Sequence, residues 1–480
     1  MNLTLNRFHF LIFGIIFIIV GLFWQNPIIG IIITLLLAIT VFYDDKIPLL
    51  FLLIFIPVRP FLIVYNTGYK ALGDILILFL LVKIIFDNRK NIVNLFRFNL
   101  LEIVFILFIA VGTISAFITG VTLPAIIMQI RAFLLFFLLF YIVRRLNIND
   151  KDIYQFSVVT FLTAVALSIQ GIVEKISLRT LLLPEVWQNF QLAYTNRIRV
   201  YGLIGGPNEL GLYLLIAFMV SFYLLLKTSG KMKIAVYFGM TLIFTVFLLT
   251  YSRGAILTLL CFLIIYMLVY KKIHYFKQTL MIVLAALSLF FAVVHITNYI
   301  ENQIIENNGA QSESIENDNK KTGLDRFTGA FSEETIEMSI KGGRVYYVKK
   351  AIEVFKDKPI IGYGFGTFGG AATQTYSSPI YEKYDIPWIF YSDNQYIQIL
   401  AETGIAGTIL MAIFVIILIK ITWNLRKGYV FSPLLIYFIV ASISGSLVYN
   451  MLENDAFTMY YFMILGYAYQ FLSKNTSVQP

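Results

Sequence analysis

Apolar residues run through this chain in long blocks separated by short polar turns. Fourteen blocks approach or exceed the roughly 17–25 residues that a helix needs to cross a bilayer. They are 8–24, 28–43, 47–65, 71–87, 100–119, 123–143, 153–173, 203–226, 233–250, 254–270, 278–297, 394–420, 431–449 and 456–472. The pattern predicts an all-α polytopic membrane protein with about 14 transmembrane helices. Arg7 alone precedes the first block, and no small-residue cleavage site follows it, so that block reads as a retained anchor. The turns alternate. Arg89, Lys90, Arg97, Arg144, Arg145, Lys151, Lys227, Lys231, Lys233, Lys271, Lys272, Lys277, Lys420, Arg426 and Lys427 fall after even-numbered blocks. Loops 25–27, 120–122 and 450–455 hold no Lys or Arg. Since cytoplasmic loops carry the excess of Lys and Arg, both termini are predicted cytoplasmic, with loops 174–202 and 298–393 outside.

Composition sharpens the class. Residues are 59% hydrophobic and 13% charged, with a mean hydropathy of +0.81, against about 25% charged in an ordinary soluble domain. The formal charge of +10 sits in the short loops and not in one patch, which argues against nucleic acid as a partner. The single cysteine, Cys261, allows no intrachain disulfide, and His9, His274 and His295 lie far apart. Neither a metal nor a cofactor is expected, and no internal repeat is visible.

The segment from Asn298 to Asp393 is the one long polar stretch. Residues 301–337 hold nine acidic and three basic side chains and read as a flexible solvated face. Arg344 to Phe368 reads as ordered, with an amphipathic helix followed by Asp357-Lys358-Pro359 and then Gly362, Gly364 and Gly366. Four regions follow: N-terminal spans over 1–200, central spans over 201–297, the outer loop 298–393 and C-terminal spans over 394–480.

Ionisable groups in or beside the spans are costly, about 2.5–3.5 kcal/mol at a helix centre, and so point to function. Arg59 lies between Pro57 and Pro60, where a broken helix is predicted. Arg131 lies near the middle of the sixth span, Asp74 and Lys70 border the fourth, and Arg253 lies between two spans meeting at the outer face. Arginines converging there suit a phosphate or pyrophosphate headgroup, which the guanidinium grips with two bonds at once. For each arginine taken singly, helix capping or pairing with a buried acid explains it as well.

Tyr251-Ser252-Arg253-Gly254-Ala255 resembles the (S/T)RGA stretch of the O-antigen polymerase/ligase-like superfamily, the Wzy and WaaL proteins. Gly202 to Gly211, reading GLIGGPNELG, resembles that family's PN stretch ahead of a transmembrane helix. Asp393 to Gly404, reading DNQYIQILAETG, resembles its exit from the outer loop, and Arg344 with Pro359 to Gly366 resembles its R…PxxGxGxG run. The resemblance covers roughly 200–410.

It implies a GT-C-like, metal-independent glycosyltransferase whose donor is an oligosaccharide on undecaprenyl pyrophosphate, acting at the outside of the cell membrane. Arg253 and Arg344 would hold the leaving pyrophosphate, with Arg59, Arg131 and Arg199 as second candidates. Asn208, Ser252 and Asn394 would shape the site, as would Glu402, which reads otherwise as a packing-buried acid, and Pro207-Asn208 would aim helix N–H groups at it. Where the family's ligases carry His before the Asn, this chain has Asp393, which serves as either a base or a helix cap. The glycines 362, 364 and 366 are expected to form a backbone-exposed turn near the glycan. The aromatic run Tyr376–Tyr391, with Trp388, suits sugar stacking or interfacial anchoring equally. Glu453 and Asp455 read as a solvated loop. A repeat-unit polymerase is the favoured function; a ligase of the same superfamily and a flippase are the alternatives. Membrane lipids and other assembly proteins, such as a flippase or chain-length regulator, are the partners expected.

Overall fold

A computed structural model describes residues 2–192, 194–270, 274–307 and 333–476, and these are helical with no strand among them. In chain order the principal helices are α1 (Asn2–Trp24), α2 (Pro27–Ile39), α3 (Ile47–Tyr65), α4 (Leu72–Asp87), α5 (Leu100–Thr119), α6 (Leu123–Arg145), α7 (Asp150–Ile176) and α8 (Pro207–Lys227). Then come α9 (Gly230–Leu249), α10 (Arg253–Tyr270), α11 (His274–Asn307), α12 (Glu333–Gly342), α13 (Arg344–Asp357), α14 (Gln395–Leu425), α15 (Ser432–Gly445) and α16 (Asp455–Thr476). Every predicted span falls on one of these helices. Ten of the described helices are long and apolar enough to cross a membrane, namely α1, α3, α5 to α11 and α14, while α2 and α15 are apolar but shorter. Most of the acidic stretch 301–337 lies outside the described residues, although α11 continues to Asn307.

The chain divides into two compact units: residues 1–84, 146–255 and 267–328, and residues 85–145, 256–266 and 329–480. The first packs α8 against α7 and α9, with α3 and α11 also against α7. Its Tyr213 is fully buried. Contrary to the expected break, α3 runs through Pro57 and Pro60 as one helix. A proline removes one ladder N–H, and tertiary packing holds the turn: Ile56 and Pro57 are both buried.

The second unit pairs α6 with α16 and α5 with α14. Phe105, Phe137 and Phe414 interlock at ring-centroid separations of 4.1–6.1 Å. A smaller core forms where the polar stretch folds. Ala351 and Val354 of α13 join Tyr363, Phe368, Ile380, Tyr381, Tyr384, Ile386 and Phe390, against Ile397 and Ala401 of α14. Tyr347 stacks on Phe390 at 4.0 Å. Much of the aromatic run is therefore core, and Trp388 remains exposed.

Candidate functional site

In the first unit the PN and SRG stretches meet on one buried arginine. The Arg199 side chain is 6% exposed overall; its Nε donates to Thr250 O at 2.8 Å and its Nη2 to Asn208 Oδ1 at 2.6 Å. Asn208 Oδ1 also accepts from Ser252 Oγ at 3.1 Å. Ser252 Oγ in turn accepts from Ala255 N at 3.3 Å, which caps α10. Tyr251 reaches this cap through a left-handed backbone, φ +48°, a conformation that non-glycine residues adopt at a cost and that clusters at functional sites. Arg253 follows as the first residue of α10, with its side chain exposed. Arg199, Asn208 and Ser252 are thus joined, and they set the position from which Arg253 projects.

α8 begins at Pro207, just after the turn over 202–205, and the missing proline N–H is harmless at that position. That turn is anchored from α7. Buried Glu174 accepts from Tyr201 N at 3.0 Å and Gly202 N at 2.8 Å, and pairs with Arg179 at 2.9 Å. A side chain at Gly205 would press on Pro60 at 3.3 Å and Trp187 at 3.4 Å, so the residue after Arg59 lies beside the PN turn. Arg59 itself donates to Lys70 O at 3.2 Å.

In the second unit Arg344 and Asp393 come together. Arg344 Nη2 is 3.8 Å from Asp393 Oδ2 and donates to Val448 O at 3.3 Å; the two side chains are 49% and 52% exposed. Asp393 is also left-handed, φ +47°. It is not the helix cap. Asn394 takes that place, its Oδ1 accepting from Tyr396 N at 3.0 Å and Ile397 N at 3.2 Å. The Asp393 carboxylate is thereby left clear of the helix terminus. Packing around that carboxyl raises its pKa above the ordinary value, and the Arg344 guanidinium opposes the rise.

Beneath this turn runs a buried chain of amides and carboxylates. Ser392 Oγ donates to Asn450 Oδ1 at 3.1 Å, Asn450 Nδ2 to Gln398 Oε1 at 3.0 Å, and Gln398 Nε2 to Glu453 Oε1 at 2.6 Å. Gln129 Nε2 also donates to Glu453 Oε1, at 2.6 Å, and Tyr391 OH to Glu453 Oε2 at 3.2 Å. Glu453 is therefore no solvated loop residue. Burial raises its pKa, against hydrogen bonds from Gln398, Gln129 and Tyr391. The spacing of Gln395, Gln398 and Glu402 on one helical face was the available sequence signal for this network. Arg131, on α6, is half-buried.

The glycine run is packed, and the exposed turn expected from sequence is corrected. Gly362, Gly364 and Gly366 are all buried, with φ of +66°, +97° and +76°. Tyr363 N and Gly364 N donate to Ala401 O and Glu402 O at 3.0 and 2.7 Å, and Ser115 Oγ donates to Gly362 O at 2.6 Å. These contacts need α14 to open, which it does at Gly404 (φ +59°, ψ −158°). Glu402 fixes the far side of the run, its Oε1 accepting from Thr367 N at 3.0 Å and Phe368 N at 3.1 Å. Glu402→Ala strands both N–H groups in a dry interior. At about 1–3 kcal/mol for each unsatisfied group, a clear fall in thermal stability in detergent is expected, with Glu402→Gln milder. An unchanged melting temperature for Glu402→Ala would refute the anchoring role.

Among the described residues no cluster of His, Cys, Asp and Glu could hold a metal ion. No curated protein matches the chain. Residues 238–412 match the family model described as O-antigen ligase. The match takes in Arg253, the glycine run and the Asp393 turn, and leaves Arg199 and Asn208 outside it. That match supports the O-antigen polymerase/ligase superfamily for the segment that carries the SRG, glycine-run and Asp393 stretches.

Proposed function

We propose that the protein is a polymerase joining undecaprenyl-pyrophosphate-linked oligosaccharide units into a surface or cell-wall polysaccharide at the outer face of the cell membrane. The proposal includes both termini in the cytoplasm, fourteen crossings and a reaction that needs no metal. The observation that carries it is the Arg344–Asp393 pair, a cation and a carboxylate 3.8 Å apart on a strained turn. A buried polar network holds that turn in place.

In the proposed reaction an acceptor sugar hydroxyl attacks the donor's anomeric carbon. The new C–O bond forms as the bond to pyrophosphate breaks, and the lipid pyrophosphate leaves with the electron pair. Asp393 takes the hydroxyl proton. Arg253 and Arg344 stabilise the leaving charge, and Arg199, Asn208 and Ser252 position Arg253. Asn394 caps the helix behind Asp393, while Glu402 and the glycine run hold the scaffold. Arg59 and Arg131 remain proposed second contacts to the lipid phosphates.

The family description favours a ligase as the second reading. Asp393 in place of the ligase histidine favours the polymerase. Reconstituted enzyme supplied with lipid-linked units tests the proposal: ladders of lengthening lipid-linked chains support polymerase, and transfer only to a separate acceptor contradicts it. The pH profile tests Asp393. Arg344 lowers this carboxyl's pKa, so Arg344→Ala raises it, and the acid limb of kcat is expected to move to higher pH on top of a slower rate. Asp393→Asn should remove that limb. An acid limb unchanged in both variants would exclude Asp393 as the base.

A further inference from the structure

Between α7 and α8 the chain makes a loop whose apolar residues face outward. Leu181, Leu182, Val186 and Phe190 are 58–67% exposed. The backbone that presents them is firmly held. Leu178, Arg179 and Leu182 are left-handed, at φ of +51°, +68° and +58°, which bulky side chains tolerate only where the surroundings enforce it. Arg179 is fixed by Glu174 through its backbone N at 2.8 Å and its guanidinium at 2.9 Å, and its guanidinium lies 4.3 Å from the Tyr201 ring centre. Gln188 Nε2 closes the turn Glu185–Gln188 on Leu183 O at 2.7 Å, and Leu183 is buried beneath. Trp187 packs at Gly205. A loop with this many internal ties could have turned its leucines inward.

We propose that residues 181–190 form a tongue inserted into the lipid leaflet beside the PN turn, with Leu181, Leu182, Val186 and Phe190 among the acyl chains. Its position fixes the occupant. The loop leaves one helix long and apolar enough to cross the membrane, at Ile176, and enters another at Pro207, so both ends start at the bilayer boundary. Exposed Arg197, held by its Nε to Leu192 O at 3.0 Å, suits the phosphates of the headgroup layer. Large apolar side chains flanked by cations are the pattern of segments that lie in that interface. Through Trp187 the tongue joins the lipid surface to the turn that precedes Asn208. The inference requires only that α7 and α8 cross the membrane, and it is independent of which transfer the enzyme performs.

The test is depth-dependent quenching on the full chain in phosphatidylcholine/phosphatidylglycerol nanodiscs. In a Cys261→Ser background, Leu182→Cys, Val186→Cys and Phe190→Cys each carry a polarity-sensitive fluorophore, with Glu185→Cys as the polar control on the same turn. Strong quenching by lipids with a shallow doxyl group, together with protection from aqueous iodide, is expected at 182, 186 and 190. Quenching by iodide but not by doxyl lipid would overturn the proposal by placing the tongue in water. Protection from both would overturn it by placing a second copy of the chain or another protein surface over the loop. Three positions are read independently, so failure of one variant to fold leaves the test intact.

Discussion

Arg253→Ala is expected to slow glycan transfer by about 10²–10³-fold, the usual cost of removing one preorganised donor from a developing negative charge. The fold should survive, because Arg253 is exposed at the first position of α10 and the cap behind it belongs to Ser252. Arg253→Lys restores the charge but not the planar two-pronged grip, so recovery should be partial. Arg199→Ala makes the necessary contrast. It removes the Arg199 donor from Thr250 O and one of the two donors to Asn208 Oδ1, so activity and thermal stability should fall together. Turnover of purified enzyme on lipid-linked substrate, read beside the melting temperature, separates the two. If Arg253→Ala retained wild-type turnover, Arg253 would have no role at the leaving group.

Gly364→Ala is expected to be the most damaging small substitution in the second unit. A Cβ there would lie 1.9 Å from Ala116 N and 2.1 Å from Ala116 Cα, both backbone atoms of α5. The residue also sits at φ +97°, where only glycine is comfortable. Overpacking costs about 1–3 kcal/mol and a left-handed non-glycine residue about 1–2 kcal/mol more. Together these consume much of the roughly 5–15 kcal/mol that keeps a typical protein folded. Loss of monodisperse protein on size exclusion, or a sharply lowered melting temperature, is the expected result. Gly342→Ala is the control, since nothing lies within 4 Å of its added Cβ. Equal behaviour of the two variants would mean that the glycine run is not packed as described.

The helices were legible because long apolar runs favour helix where they are to be buried in lipid: each of those runs lies on a helix, and ten of the described helices are long and apolar enough to cross a membrane. The motif order Pro207-Asn208, Ser252-Arg253, Arg344 and Asp393 was legible as a resemblance. Less legible was which residues do structural work. Arg199 stood as a second candidate for the pyrophosphate behind Arg253, yet it is buried and bonded to Thr250 and Asn208, while Arg253 is exposed at the start of α10. Glu453 looked like a loop acid, since its partners Gln129 and Gln398 lie far from it in the chain. The glycines were singled out correctly as a tight turn but placed against substrate. Close approach of two helix backbones needs glycine just as a ligand does, and sequence does not distinguish the two.

The polymerase reading is tested most directly by the lipid-linked intermediates of a deletion strain complemented with wild type or Arg253→Ala. Single repeat units should accumulate on the carrier at the outer face, with long chains restored by wild type and not by Arg253→Ala. Full-length polymer held on the lipid, failing only to reach its final acceptor, would contradict the polymerase and establish a ligase. Single units confined to the cytoplasmic face would contradict both and point to a flippase.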